Sequence, residues 1–149
     1  MFNKILTGLI GLTFSLSLAA ADGMISKPSI HSVQMTADNL QQQLTSNGMK
    51  VFLRINHAEN AKKVDIQLNP TELIIFGNPK AGSPLMKCAA TVAIDLPQKA
   101  LIWQDDSQQV WVSYNDPAYL KQRHAIEGCD KVLQNVSSAL AKMTDAAAN

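Results

Sequence analysis

The run Leu73-Ile74-Ile75-Phe76 constrains the fold of this 149-residue chain more than any other segment. Four consecutive apolar residues are typical of a strand that is covered on both faces or nearly so. Such a strand, from Thr71 to Asn78, requires a sheet against which helices pack. The run therefore predicts a layered domain with this strand inside its sheet.

The remaining pattern alternates between helical and extended segments. Ser32 predicts a helix cap, and the apolar residues after it recur at spacings of four, three and four. A second such series starts at Cys129. Strands are predicted around Met24–Ile30 and around 51–56, 100–104 and 110–114, with the first at an edge because of Pro28. We predict an α+β fold, a two-layer α/β domain with a mixed sheet of about five strands packed against helices.

The turn after Phe76 contains glycine, proline and lysine, as phosphate-binding loops do. Its order differs from GxxxxGK[ST], because Lys80 precedes Gly82 and no lysine stands before Ser83. Ser83-Pro84 predicts instead the start of a helix running to about Ala90. These residue types favour a turn that only initiates the helix. The alternative is a site for a small anionic ligand, in which the free N–H groups after Ser83 act with Asn78 and Lys80.

The N-terminus has the three parts of a secretory signal peptide. Lys4 precedes an apolar stretch from Ile5 to Leu18, and small residues 19–21 come before Asp22. We expect cleavage after Ala21, which leaves 22–149 as a single domain that is periplasmic or secreted and is not held at a membrane. The alternative is a retained anchor, for which the apolar stretch is short.

Charge and motif content restrict the classes of partner. The whole chain has 13 basic and 12 acidic residues, so it lacks the basic character of nucleic-acid-binding proteins and no nucleic-acid partner is predicted. Ligand spacings typical of zinc sites or covalent haem are absent from the sequence, and no metal or other cofactor is predicted.

Two cysteines, Cys88 and Cys129, remain after the predicted cleavage. Export favours a disulfide between them. Two alternatives stay open, namely separately buried thiols and a redox or metal role. If the cysteines pair, the closed loop is expected to stabilise the fold by roughly 4 kcal/mol.

Several motifs resemble the domain of unknown function 302 family over residues 32–128. They are RINH (54–57), TELIIFGNPKAGSPLM (71–86), IDLP (94–97) and VSYNDP (112–117), followed by Arg123-His124. The resemblance implies a two-layer α/β domain that is often a homodimer. It implies no activity and transfers no catalytic residues or role for the cysteines.

Three functions are compatible with these residues. The first is an exported binding or accessory module, with a cleft near the C-terminal ends of the strands formed by His57, Asn78, Lys80, Tyr114 and Asp116. The second is an enzyme in which His57 acts as a base on a small anionic substrate, with Tyr114 and Asp116 as further catalytic candidates. The third is a thiol or metal stress protein using Cys88, Cys129 and Met86.

Overall fold

Five strands form one sheet in the computed structural model, which describes residues 23–149. The strand order is β1-β5-β4-β3-β2, and every neighbouring pair is antiparallel. The predicted α+β class and the strand number are confirmed, whereas the expected mixed sheet is antiparallel throughout. The predicted signal peptide, 1–21, lies outside the described residues. The strands are β1 (Met24–Ser29), β2 (Lys50–Asn56), β3 (Thr71–Gly77), β4 (Gln98–Gln104) and β5 (Val110–Asn115).

Helices cover one face of this sheet. The long helices α1 and α5 pack against each other and against the strands, and their apolar residues complete the main core with Ile74, Phe76, Ile102 and Val112. The helices are α1 (Val33–Ser46), α2 (His57–Lys62), α3 (Pro79–Cys88), α4 (Pro117–Arg123) and α5 (Asp130–Ala148), with a short 3-10 helix at Ala90–Ile94.

Strand β3 is less completely buried than its apolar run predicts. Ile74 and Phe76 are buried under the helices, whereas Leu73 and Ile75 on the opposite face are only half-buried. Because the domain has two layers, only one face of the sheet is covered by helices. The expectation of a strand covered on both faces or nearly so therefore holds in full only for the face under the helices.

Helix α1 begins and ends where its residue types predict. The Ser32 hydroxyl accepts a hydrogen bond from the Met35 N–H at 3.2 Å. At the other end, Gly48 has a φ of +74°, a conformation that side-chain-bearing residues rarely adopt. The Met49 N–H then donates to the Leu44 carbonyl at 2.9 Å, which closes the helix and turns the chain into β2.

Helix α3 begins five residues before the predicted position. Asn78 is its cap, accepting a 2.9 Å bond from the Lys80 N–H, and Pro79 occupies the first helical position. The expected start after Ser83 is wrong, because Asn78-Pro79 offers the same cap-and-proline signal earlier and directly after β3. Pro84 therefore lies inside the helix, where it donates no bond to the Lys80 carbonyl.

A disulfide joins Cys88, the last residue of α3, to Cys129, the cap residue of α5. Their Cα atoms are 6.5 Å apart, and the bond closes a sequence separation of 41 residues. Cys129 is buried in a second apolar cluster with Leu85, Val92, Ile126 and Leu133. The predicted pairing is confirmed, and it fixes the end of α3 against the start of α5.

Candidate functional site

A cleft of about 710 Å³ lies between α3, α5 and one end of the sheet. Its volume falls in the range of cavities that hold small molecules. The groups that line it are mostly apolar, and polar side chains are few. The lining includes Met49, Phe52, Phe76, Leu85, Met86, Leu96, Pro97, Val132, Val136, Ala139 and Leu140.

Local folding explains why space remains at this position. Helix α3 follows β3 after a single residue and packs against α5 and the 3-10 helix, and Leu85 anchors it at 1% exposure. Gly82 contributes no side chain to the wall, and a Cβ built there would approach only Leu96 Cδ1, at 3.7 Å. The sheet, the disulfide and the Leu85 cluster therefore fix the walls without filling the space between them.

The three predicted ligand-binding residues, Asn78, Lys80 and Ser83, all line this cleft. Asn78 already uses both ends of its amide, since Oδ1 caps the helix and Nδ2 donates to the Gly48 carbonyl at 3.1 Å. Lys80 and Ser83 are exposed on the wall formed by α3. The N-terminal N–H groups of α3 follow Asn78 rather than Ser83, so the expected grouping of N–H donors behind Ser83 is wrong. Binding by the three residues stays a prediction.

Gln98 is a polar lining residue that the sequence interpretation missed. It begins β4, faces the helices with Ala100 and Ile102, and is 8% exposed. Among the described residues its amide nitrogen is buried and has no hydrogen-bond partner. The alternating pattern of β4 could have indicated Gln98 as a candidate, because this glutamine shares the inward face of the strand with two apolar residues.

The structure does not bring together His57, Tyr114 and Asp116. His57 begins α2 at the C-terminal end of β2, whereas Tyr114 and Asp116 lie toward the opposite end of the sheet on β5 and just after it, three strands and roughly 14 Å across the sheet from β2. The expected cleft placed all strand C-termini together. In an antiparallel sheet they alternate between the two ends, so that five-residue cleft is wrong.

Tyr114 and Asp116 both have structural roles in the fold. Tyr114 is 3% exposed within the main core, and burial raises its pKa above the ordinary value of 10.0. Asp116 caps α4, accepting a 2.8 Å bond from the Ala118 N–H. Neither residue lines the cleft, and His57 is also absent from its lining.

Away from the cleft, a cluster of polar side chains joins the 3-10 helix to the end of α4. His124 Nε2 lies 2.6 Å from Asp95 Oδ2, and His124 Nδ1 lies 3.1 Å from Thr91 Oγ1. Arg123 adds a 3.3 Å contact to the second oxygen of Asp95. These residues do not line the cleft, so the resemblance motifs at 94–97 and 123–124 meet in a cluster that connects two elements.

Two other kinds of feature, metal-binding clusters and membrane-spanning helices, are absent from residues 23–149. No cluster of three or more histidine, cysteine, aspartate or glutamate side chains there is arranged to hold a metal ion. Across the same residues, no helix has both the length and the apolar character needed to cross a membrane.

Curated relatives share close sequence similarity with this chain. It is 46% identical over 104 residues to a protein named fluoride-specific ion channel FluC 1 from Brucella suis, and equally so to the protein of that name from Brucella abortus. The alignments cover 70% of this chain but only 41% and 38% of the relatives. The chain thus spans about two fifths of the length of the curated relatives it matches.

A solved structure has the same fold. It is the crystal structure of an uncharacterized conserved protein DUF302 from Bacillus stearothermophilus, with a TM-score of 0.76 at 16% identity. The superposition covers 85% of this chain and 99% of the other. The family described as "Domain of unknown function DUF302" matches residues 25–143, a wider range than the motifs indicated. The chain therefore belongs to the DUF302 family.

Proposed function

We propose that this chain is a binding or accessory module whose ligand occupies the cleft between α3 and α5. The observation that carries the proposal is the cleft itself, about 710 Å³ and lined mainly by apolar side chains. Burial of an apolar ligand surface there would supply the binding free energy, while a few polar groups orient the ligand.

The exposure of two lining residues supports this role. Phe52 and Met86 are 47% and 38% exposed, although both are large and apolar. A ligand in the cleft would cover surface that otherwise remains in contact with water. Flexible methionine side chains also adapt readily to ligands of different shape.

Substitutions at Gly82 test this proposal through binding of a fluorescent apolar dye such as 1-N-phenylnaphthylamine. Gly82→Ala is the matched control, because its Cβ meets Leu96 at an ordinary contact distance. Gly82→Leu adds a branched side chain to the same wall and is expected to weaken dye binding at least tenfold. Equal dye affinity in the two variants, with both folded by circular dichroism, would place the ligand elsewhere.

A second candidate role is accessory to fluoride export. In the Brucella relatives, a segment 46% identical to this chain is part of a longer protein named as a fluoride-specific channel. We expect cells lacking this chain to accumulate more fluoride in medium containing sodium fluoride, as measured with a fluoride electrode. Unchanged internal fluoride would contradict this role.

Fluoride itself is not the expected occupant of the cleft. A small, strongly hydrated anion loses much hydration free energy on entering apolar surroundings. Calorimetric titration of the protein with sodium fluoride is therefore expected to give no heat of binding, whereas an apolar ligand is expected to bind. Saturable fluoride binding that Gly82→Leu abolishes would reverse this assignment of the cleft.

Export and a homodimer complete the proposed role. Support for export comes from the signal-like sequence and from the disulfide, a bond typical of oxidising compartments. Mass spectrometry of the protein from a periplasmic or culture fraction is expected to show an N-terminus at Asp22. Sedimentation equilibrium is expected to give twice the mass of the processed chain, as the family resemblance implies.

A further inference from the structure

We infer that the cleft recognises an amphipathic carboxylate, with an oxygen of the ligand accepting a hydrogen bond from Gln98. The inference deepens the proposed function, because it rests on the cleft as a ligand site. Its starting point is the buried amide nitrogen of Gln98, which has no hydrogen-bond partner among the described residues. Gln98 also belongs to the wall of the cleft.

An unpaired amide is unusual at this position. Buried polar groups are hydrogen-bonded in the great majority of cases, and each exception calls for a specific reason. The amide nitrogen of Gln98 is shielded from water, so solvent does not replace the missing acceptor. The terminal torsion of glutamine has a broad and roughly two-fold energy profile, so rotation about it can turn the N–H group toward the cleft that this side chain lines.

The neighbours of Gln98 in the wall define the rest of the ligand. Phe76, Leu85 and Leu140 are apolar and almost fully buried, and they favour an alkyl or aryl body. The exposed Lys80 is on the α3 wall of the same cleft. A cation in the wall favours a ligand with a negative charge, and a charged acceptor strengthens the bond from an amide donor.

A carboxylate combines a negative charge and hydrogen-bond acceptors in a single group. Its two oxygens accept hydrogen bonds from neutral and charged donors alike. A neutral alcohol of the same chain length provides one weaker acceptor and no charge. Decanoate and decanol therefore form a matched pair that separates recognition of the head group from burial of the chain.

The experiment measures displacement of the apolar dye by each compound, using the purified protein as the cell produces it. For the unaltered protein we expect decanoate to bind at least tenfold more tightly than decanol. Gln98→Met retains the approximate volume but removes the donor, and it is expected to reduce this preference to threefold or less. Gln104→Met, at the other end of β4 and outside the cleft, is the matched control and is expected to retain the full preference.

Thermal unfolding without ligand provides an independent readout. Because Gln98→Met removes a buried donor that lacks a partner, its unfolding temperature is expected to equal or exceed that of the unaltered protein. A lower temperature would mean that Gln98 makes a stabilising contact already, which would overturn the inference.

The outcomes separate the inference from the proposed function. If the dye binds and Gly82→Leu blocks it, but Gln98→Met leaves the preference for decanoate intact, the cleft is a ligand site and the inference about Gln98 is wrong. Equal affinity of decanoate and decanol in the unaltered protein would also overturn it. If Gly82→Leu has no effect on dye binding, the proposed function fails first, and the inference fails with it.

Discussion

At the scale of single residues, Gly23 is constrained both by its backbone conformation and by the side chain beside it. Gly23 has a φ of +78°, and an added Cβ would come within 2.8 Å of Tyr119 Cδ1 and nearer to other ring atoms. The Gly23 carbonyl also accepts a 2.9 Å bond from the Asp116 N–H, so the segment cannot move freely away from the ring. Gly23 thus joins the start of β1 to the start of α4.

Gly23→Ala is expected to destabilise the protein by about 2 to 4 kcal/mol, through the left-handed backbone and the overlap with Tyr119. Gly48→Ala is the control, because its φ of +74° is similar but no atom lies within 4 Å of the new Cβ. We expect this control to lose only about 1 kcal/mol. Urea unfolding of both variants measures the difference, and equal losses would show that the Tyr119 contact contributes nothing.

Asp105 organises the turn between β4 and β5. Its Oδ1 accepts bonds from the Ser107 hydroxyl at 2.7 Å and from the Ser107 and Gln109 N–H groups, while Oδ2 accepts from Trp111 Nε1 at 2.8 Å. The hydrogen bond from the Ser107 side chain has the largest effect and that from Trp111 the next largest, and both lower the pKa of Asp105 below its ordinary value of 3.8. The carboxylate form is therefore preferred in the folded state.

This preference predicts a pH dependence of stability. The contribution of Asp105 is fully present above pH 3.8 and is lost as the pH falls through the lower folded pKa, because the folded state binds the proton less readily. Urea midpoints measured from neutral to acid pH are expected to fall more steeply below pH 3.8 for the unaltered protein than for Asp105→Asn. Parallel curves for the two proteins would contradict this assignment.

At the scale of elements, Arg54 connects three parts of the fold. Its Nε donates to Glu72 Oε2 on β3 and its Nη1 donates to Asp38 Oδ1 on α1, both at 2.5 Å. The hydrogen bond with Glu72, followed by that with Asp38, raises the pKa of Arg54 further above its ordinary value, although burial opposes the shift. Glu72 is 7% exposed and therefore depends on this cation.

Arg54→Met is expected to cost about 3 kcal/mol, because Glu72 would remain buried without its counter-ion. Adding Glu72→Gln to that variant removes the uncompensated charge and is expected to restore about half of the loss. Chemical denaturation of both single variants and of the double variant gives the coupling free energy. A double variant less stable than Arg54→Met would contradict this account.

Helix capping accounts for several of the residues in the sequence motifs. Asn56, Asn78 and Asp116 each cap the helix that follows a strand. The proline that follows Asp116 directly marks this cap in the sequence. The sequence interpretation missed the cap at Asn78 because Ser83-Pro84 carries the same signal as Asn78-Pro79 five residues later.

For the whole molecule, we expect the disulfide to contribute to stability and to hold the α3 wall of the cleft in place. The double variant Cys88→Ser with Cys129→Ala is expected to lose about 4 kcal/mol, on the chain-entropy relation for the loop that the bond closes. Because Cys88 ends the α3 wall, we also expect weaker dye binding. Urea unfolding and dye titration measure the two effects.

Reduction of the unaltered protein provides the matched comparison. A reducing agent is expected to lower its stability to that of the double variant, and to leave the double variant unchanged. If the oxidised protein and the double variant were equally stable, the bond would have no role in holding α3 against α5. The two measurements together separate loss of the bond from repacking around Cys129.

The sequence alone determined most of the elements, though not the start of α3, because periodicity and caps are local properties of the chain. The spacing of Val33, Ala37, Leu40 and Leu44 was enough to predict α1, and the apolar run was enough to predict β3. The α+β class followed from the same local information, whereas the family was indicated by the resemblance of the motifs between residues 54 and 124. For Cys88 and Cys129, the sequence left three alternatives open: a disulfide, separately buried thiols, and a redox or metal role.

Tertiary structure decided which of these residues meet. Antiparallel pairing sends successive strand ends to opposite sides of the sheet, which separates His57 from Tyr114 and Asp116. The same pairing places the end of β3 beside the start of β4, so that Lys80 and Gln98 line one cleft although 18 positions separate them along the chain. Periodicity reports the face on which a residue lies, whereas strand pairing and helix packing determine its neighbours.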